Sequence, residues 1–304
     1  MEPDDLSKLG IIDMHVHVGP EFLKRRYNVL RLALELASFN IGAVIKNHFV
    51  LTTGLAAMVR SLGYTNIWGS ITLNQGVGGL NPEALRAAIS SNKTNSSAED
   101  PDNIRFVVWM PTIHALAHLE KIGYDIDPLW GASVKYCKKK HEVTPITVLD
   151  KNGSLKKEAI EILEIIRDED LILATGHLGV DETFKLVEEA ITRGVKRIVV
   201  THPSYPPTNM SVHDQKNLAR KNGVYIEQAY ADFLIYRIDL RNCLDSIREV
   251  GYEKTILTSD LGQFNQTSVI NGLCRFINAL IEMGLTTNEI KKMTSENPTR
   301  LLLK

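Results

Sequence analysis

Leu171-Ile172-Leu173-Ala174-Thr175-Gly176-His177 and Arg197-Ile198-Val199-Val200-Thr201-His202 decide how the chain is read. Each is a short apolar run, rich in β-branched and branched aliphatic residues, that closes on a histidine. Between them Glu182–Thr192 reads as a helix. A strand, a helix and a second strand make a βαβ unit, and strands joined by a helix-length crossover run parallel.

The alternation extends in both directions. Downstream come helix Val212–Lys221, strand Val224-Tyr225-Ile226-Glu227, helix Asp239–Val250 and strand Thr255-Ile256-Leu257-Thr258-Ser259-Asp260. Helices near Ser268–Met283 and Asn288–Lys292 follow. Upstream lies helix Leu155–Arg167, preceded by strands Ile104–Thr112, Ile67–Leu73, Ala43–His48 and the opening run Ile11-Ile12-Asp13-Met14-His15-Val16-His17. Tyr27–Phe39 reads as an amphipathic helix with Leu30, Leu34 and Ala37 on one stripe. Thr53–Leu62 reads as the next helix. Asn81-Pro82-Glu83 has the order of N-cap, first-turn proline and first-turn acid.

Eight short apolar strands, each followed by a helix-sized connection, predict class α/β and a (β/α)8 TIM barrel. One domain over residues 1–304 is the economical reading. Lys93 to Asn103 is polar and reads as a surface insertion. Residues 113–154 are the least regular stretch, an insertion or lid after strand 4, with a small hairpin at Pro145–Gly153.

Bulk properties exclude several classes. The chain has 304 residues, 44% hydrophobic and 23% charged, with a net charge of −1. That balance argues against nucleic acid or an anionic membrane as partner. Cys137, Cys243 and Cys274 show no paired spacing, so neither a disulfide framework nor a thiolate metal site is expected. No apolar stretch has spanning length, and the acidic N-terminus lacks signal-peptide order, so the expected location is the cytoplasm.

In a barrel the C-terminal ends of all strands meet at one face, which carries the active site. His15 and His17, two residues apart on one strand, point the same way and can share a metal. His177, His202 and Asp260 end three further strands. Lys46 and His48 end strand 2, Glu227 ends strand 7, and Asn74 and Thr112 follow strands 3 and 4. A lone histidine at a strand end is usually structural, and His114, His118, His141 and His213 are assigned there. Five ligand-type residues at one edge predict a metal site. The Gly76-Val77-Gly78-Gly79 loop suits a tight turn at least as well as an anion site.

With those residues in view, the chain resembles the amidohydrolase superfamily of metal-dependent hydrolases. The ordered set His-x-His, His, His, Asp at strands 1, 5, 6 and 8 carries the resemblance, with the tail Asn297-Pro298-Thr299-Arg300-Leu301-Leu302. Val44–His48, Trp109-Met110-Pro111-Thr112 and Ser259–Gln263 look like an uncharacterised branch. The resemblance implies that His15, His17 and Asp260 bind one metal, joined by His177 or accompanied by a second ion on His177 and His202. Zn suits this donor set first, and Mn, Fe or Ni also fit. It implies a water of lowered pKa, with Asp260 as proton acceptor and His202 polarising the scissile carbonyl. Binuclear members carry a Lys or Glu at the end of strand 4, where this chain has Trp109–Thr112. Either the site holds one metal or Lys46 bridges two; as an ammonium, Lys46 would instead grip substrate.

The expected activity is hydrolysis of an amide, cyclic amide, lactone or ester in a small polar substrate. The rivals are a metal-dependent decarboxylase and a non-catalytic ligand-binding barrel. Lys46, His48, Asn74, Thr112 and Glu227 are the expected substrate-side residues, with Glu227 also read as a partner for a histidine ligand. The resemblance implies a homo-oligomer.

Overall fold

A computed structural model describes residues 2–94, 104–123 and 143–303. Its strands are β1 (Ile12–His17), β2 (Gly42–Lys46), β3 in two segments (Ile67–Trp68 and Ser70–Thr72), β4 (Val107–Trp109), β5 (Ile172–Ala174), β6 (Ile198–Val200), β7 (Val224–Ala229) and β8 (Thr255–Thr258). Every pairing between neighbours in this order is parallel. The break in β3 is Gly69, where a Cβ would lie 2.5 Å from the Thr53 Cα, so the strand interrupts where a helix presses on it.

The last strand returns to the first. The Asp260 N–H donates to the His15 carbonyl at 2.9 Å and the His17 N–H to the Leu261 carbonyl at 2.7 Å. Val16 and Leu261 form a parallel bridge. The α/β barrel expected from the alternation is therefore what the chain forms. The strands that carry Lys46, His177, His202 and Asp260 end two or three residues before those side chains, or at Lys46 itself, so their runs stop short at the C-terminal end. By contrast, β1 runs through His17 and β7 extends past Glu227 to Ala229.

Side chains sort by the pleat. Met14, Val44, Trp109, Ala174, Val199, Tyr225 and Ile256 fill the interior, and Leu301 and Leu302 of the last helix join that cluster. Outward residues such as Ile45, Leu173, Val200 and Leu257 pack under the helices. The helix Val29–Ala37 buries Val29, Leu32, Ala33 and Leu36. Leu30 and Leu34, expected on its buried stripe, are 40% and 50% exposed. Both stripes satisfy helical spacing; the one with the β1 and β2 surface beneath it is buried.

The turn readings hold up locally. Asn81 Oδ1 accepts from the Glu83 and Ala84 N–H groups at 3.0 and 3.3 Å, as an N-cap should. The glycine-rich loop is a tight turn, with Gly78 and Gly79 at φ +89° and +75°. In the segment after β4 a helix spans Leu116–Ile122, and Leu149 pairs antiparallel with Leu155 across a turn braced by Asp150. The rest of the lid candidate, residues 124–142, lies outside the described residues, as do residues 95–103 of the polar insertion.

Candidate metal centre

The β1 histidines owe their aim to an irregularity. Asp13 pairs with Ala43 but Val16 pairs with Ile45, so β1 carries one extra residue. This bulge shifts the phase of the pleat. Ile12 and Met14 point into the barrel below it, and His15 and His17 point into the mouth above it. Asp13 stays buried between β1 and β8, accepting from the His15 and Ser259 N–H groups at 3.2 and 3.0 Å.

Both imidazoles converge on one carboxylate oxygen. His15 Nε2 lies 3.1 Å and His17 Nε2 2.9 Å from Asp260 Oδ1. Asp260 is reached by a left-handed backbone turn, φ 49°, just past β8, and its side chain remains 15% exposed to the cavity. Ligand atoms of His15, His202 and Asp260 all lie within 4.8 Å of one another. The His177 ring stands 5.0 Å from His202, and the His48 ring 4.7 Å from His17. The five expected ligands and His48 thus share one mouth.

Glu227 sets the tautomer of His15. Its Oε1 lies 2.9 Å from His15 Nδ1 and accepts from the Thr258 hydroxyl at 2.8 Å, while Oε2 accepts from the His202 N–H at 3.0 Å. Burial lowers the pKa of His15 well below its usual value, so the ring is neutral. A neutral ring that donates Nδ1–H to Glu227 keeps its lone pair on Nε2, facing Asp260. Glu227 therefore serves the histidines. Fully buried, with both oxygens engaged, it does not stand on the substrate side of the site.

Asn74 and Thr112 are likewise tie points. Asn74 Nδ2 donates to Thr112 Oγ1 at 2.7 Å and to the His48 carbonyl at 3.1 Å, and its Oδ1 accepts from the Thr112 N–H at 2.9 Å. Both residues are fully buried, locking the ends of β2, β3 and β4 together rather than lining the pocket. Thr112 Oγ1 then meets His48 Nδ1 at 3.1 Å, so the bracket orients His48.

Lys46 occupies the centre. Its Nζ lies 2.9 Å from His15 Nε2 and 4.0 Å over the Trp109 ring. Burial depresses its pKa, opposed by the charges of Asp260 and Glu227. Burial also raises the Asp260 carboxyl, opposed first by Lys46. Trp109, 1% exposed, fills the floor where a strand-4 ligand would stand, its ring 4.5 Å from His15.

His118, read from the sequence as a structural histidine, is buried and hydrogen-bonded against an expected ligand. Its Nδ1 lies 2.9 Å from His177 Nδ1 and 3.3 Å from the Tyr205 hydroxyl, and the Tyr236 hydroxyl donates to Tyr205 at 3.4 Å. Burial pushes the His118 pKa down to about 3, so it is neutral. In the tautomer whose His118 Nδ1 is an acceptor, both the Tyr205 hydroxyl and His177 Nδ1–H donate to it. In that tautomer the His177 lone pair stays on Nε2, as a metal ligand would need. A helix starting at Leu116, held by the Ala115–Ile146 bridge, delivers His118, and no strand-end rule points there.

The donor set fits a divalent cation. The acceptor nitrogens of neutral imidazoles and a carboxylate oxygen crowd together, a donor set that a divalent cation can share. Asp260 Oδ1, His17 Nδ1 and His202 Nδ1 are buried without hydrogen-bond partners among the described residues. The cavity above, lined by His17, Arg25, His48, His177, His202, Tyr205, Ile235, Tyr236, Asp260 and Gln263, has a free volume of about 20 Å³. That is the room of one water or ion.

Residues 10–227 match the family described as "Family of unknown function (DUF6282)". The chain belongs to that family. The match takes in His15, His17, His177, His202 and Glu227 and stops short of Asp260. A search of curated proteins finds no match. Among solved structures the chain is similar to an amidohydrolase from Mycoplasma synoviae, at 17% identity and TM-score 0.58, covering 98% of this chain and 88% of the other. It is similar to a probable 2-pyrone-4,6-dicarboxylic acid hydrolase from Acinetobacter baumannii with citric acid bound, at 14% identity and TM-score 0.57 over 96% and 98%. It is also similar to 2,6-dihydroxybenzoate decarboxylase from Rhizobium, at 10% identity and TM-score 0.52 over 96% and 98%. At these identities the shared property is the fold, that of amidohydrolase-type barrels. Among the described residues no helix is long and apolar enough to cross a membrane.

Proposed function

We propose that this DUF6282 protein is a metal-dependent hydrolase that opens an amide, cyclic amide, lactone or ester bond in a small substrate. The observation that carries the reading is the meeting of His15 Nε2 and His17 Nε2 on Asp260 Oδ1 at 3.1 and 2.9 Å, with Glu227 fixing the His15 tautomer from behind. His15, His17 and Asp260 would hold the ion, with His202 and His177 completing the set, and Zn suits the donors best. When bound, such an ion supplies Lewis acidity and a water of pKa about 7.

The chain's own residues do the rest. Asp260, partly open to the cavity and raised in pKa by burial, is placed to take a proton and pass it to a leaving group. His202, its pKa lowered by burial to about 3, is a neutral ring lining the cavity, where it would polarise the scissile carbonyl. Lys46 balances Asp260 and Glu227 and holds the floor of the site with Trp109. Tyr205 and Tyr236 close the roof, so a substrate larger than one water needs that roof to shift.

A decarboxylase on the same cluster is the second reading. The observation favouring it is Trp109, which leaves β4 without a bridging ligand and so favours a single ion. Metal analysis by mass spectrometry on purified protein tests the centre, and assays on amide, lactone and aromatic-acid panels separate the chemistries. New carboxylate or ammonia supports hydrolysis; carbon dioxide supports the lyase. Well under one equivalent of metal, with no gain on adding metal, removes both and leaves a non-catalytic binding barrel.

A further inference from the structure

The loop after β1 carries a cation that the metal reading does not use. The Arg25 side chain is 2% exposed, and its Nε donates to the buried Glu21. The other oxygen of Glu21 accepts from the His48 N–H at 3.0 Å, which ties the pair to the end of β2. The Arg25 backbone pairs antiparallel with Gln263, and the Arg26 N–H donates to the Gly262 carbonyl at 2.8 Å. Arg25 is thus held at backbone and side chain. Yet its Nη2 is buried without a hydrogen-bond partner among the described residues, as is Gln263 Oε1, and both residues line the cavity that contains His17, His202 and Asp260.

A buried guanidinium N–H left unmade is unfavourable, and nothing in the fold requires it. Lys46, the other buried cation beside the ligands, already sits 2.9 Å from His15 Nε2 and 4.0 Å over Trp109. We propose that Arg25 is the docking point for a carboxylate, and that the substrates of this site are small organic acids. Their carboxylate sits on Arg25 Nη2 and their reacting bond turns toward the His15–His17–Asp260 cluster. A planar, permanently charged guanidinium matches a planar carboxylate, and Glu21 on Nε presets the guanidinium plane. Phosphate shares the oxyanion chemistry, but it is bulkier and brings more charge than one free donor answers.

The reacting end of this inference rests on the hydrolase reading; capture of the carboxylate is measured separately. Full-length protein is titrated with acetate, benzoate and succinate, with their amides, and with inorganic phosphate, followed by calorimetry and saturation-transfer NMR. Each series is run metal-loaded and after chelation. The expected result is binding of the acids but not the amides, weakened at least tenfold in Arg25→Gln and partly kept in Arg25→Lys, with metal content unchanged in both. Thermal melts confirm that both variants fold, and Glu21→Gln, which keeps Arg25, retains acid binding if only the plane is lost. Equal binding of acids and amides, undiminished binding in Arg25→Gln, or no binding of any acid at 10-fold excess over about 1 mM overturns the proposal. Arg25-dependent binding of phosphate in preference to the acids also overturns the carboxylate assignment. Loss of metal with acid binding intact would sink the hydrolase reading and leave Arg25 standing.

Discussion

Replacing Glu227 with glutamine exchanges one oxygen for an amide nitrogen and leaves side-chain volume almost unaltered. The wild-type carboxylate accepts at both oxygens: from His15 Nδ1 at 2.9 Å and Thr258 at 2.8 Å on one, and from the His202 N–H at 3.0 Å on the other. An amide cannot do both. If its NH2 group faces the His202 N–H, two donors oppose each other in a fully buried place. If it faces His15, the ring must move its proton to Nε2, which removes the lone pair that faces Asp260. Leaving one buried donor unsatisfied costs about 1–3 kcal/mol of folding stability. Loss of a partner behind a metal-binding histidine weakens metal affinity by roughly 10–100-fold, or about 1.4–2.8 kcal/mol. The assay is Zn competition against a chromophoric chelator, with urea denaturation of the metal-free protein alongside. Thr258→Val, which removes one of the three donors, should show the smaller effect. Zn affinity within twofold of wild type in Glu227→Gln, with stability unchanged, would refute the claim that Glu227 orients His15.

Other outcomes follow from the same geometry. Gly262 sits at φ +127°, where a Cβ would lie 2.1 Å from the His17 carbonyl oxygen. Gly262→Ala should therefore cost at least about 1–3 kcal/mol in urea denaturation and loosen metal binding, because the β1–β8 closure must shift. His118→Ala removes the hydrogen-bond partner 2.9 Å from His177 Nδ1. It should lower metal affinity about tenfold in the same chelator assay while His118→Asn recovers part of it. Asp170, at φ 51°, accepts from Arg105 and Arg197 across the loops before β4, β5 and β6. Burial works to raise its pKa, but the two arginines outweigh it and hold the carboxyl below its usual value. A depressed folded pKa gives stability present above the unfolded value and lost as pH falls through the folded one. Asp170→Asn, which keeps the left-handed backbone, should lower the melting point at pH 7 by an amount worth about 1 kcal/mol or less. That gap should narrow as pH falls below the usual carboxylate pKa of about 3.9 and vanish once the folded carboxyl is protonated; a gap that persists in strong acid would mean the carboxylate charge is not what stabilises.

The alternation of apolar runs with helical segments determined the α/β class, because parallel strands need helix-length crossovers, and eight such strands are the number that a closed barrel takes. The strand-end positions of His15, His17, His177, His202 and Asp260 determined the face where chemistry gathers, because strand ends meet there whatever the loops do. Chain order says nothing of what stands behind a ligand. Glu227, Asn74 and Thr112 looked like pocket residues by position, and only the packed structure turned them inward to hold His15 and His48. His118 and Arg25 lie on a helix and a loop whose placement depends on long-range contacts, so no periodicity marked them. The helix Val29–Ala37 teaches the same lesson on its outside, where two stripes had equal spacing and the surface beneath chose between them. Even the aim of His15 and His17 came from a one-residue bulge set by pairing with β2. Periodicity is local and survives in the sequence; register, tautomer and burial are decided between segments, and they exist only in the fold.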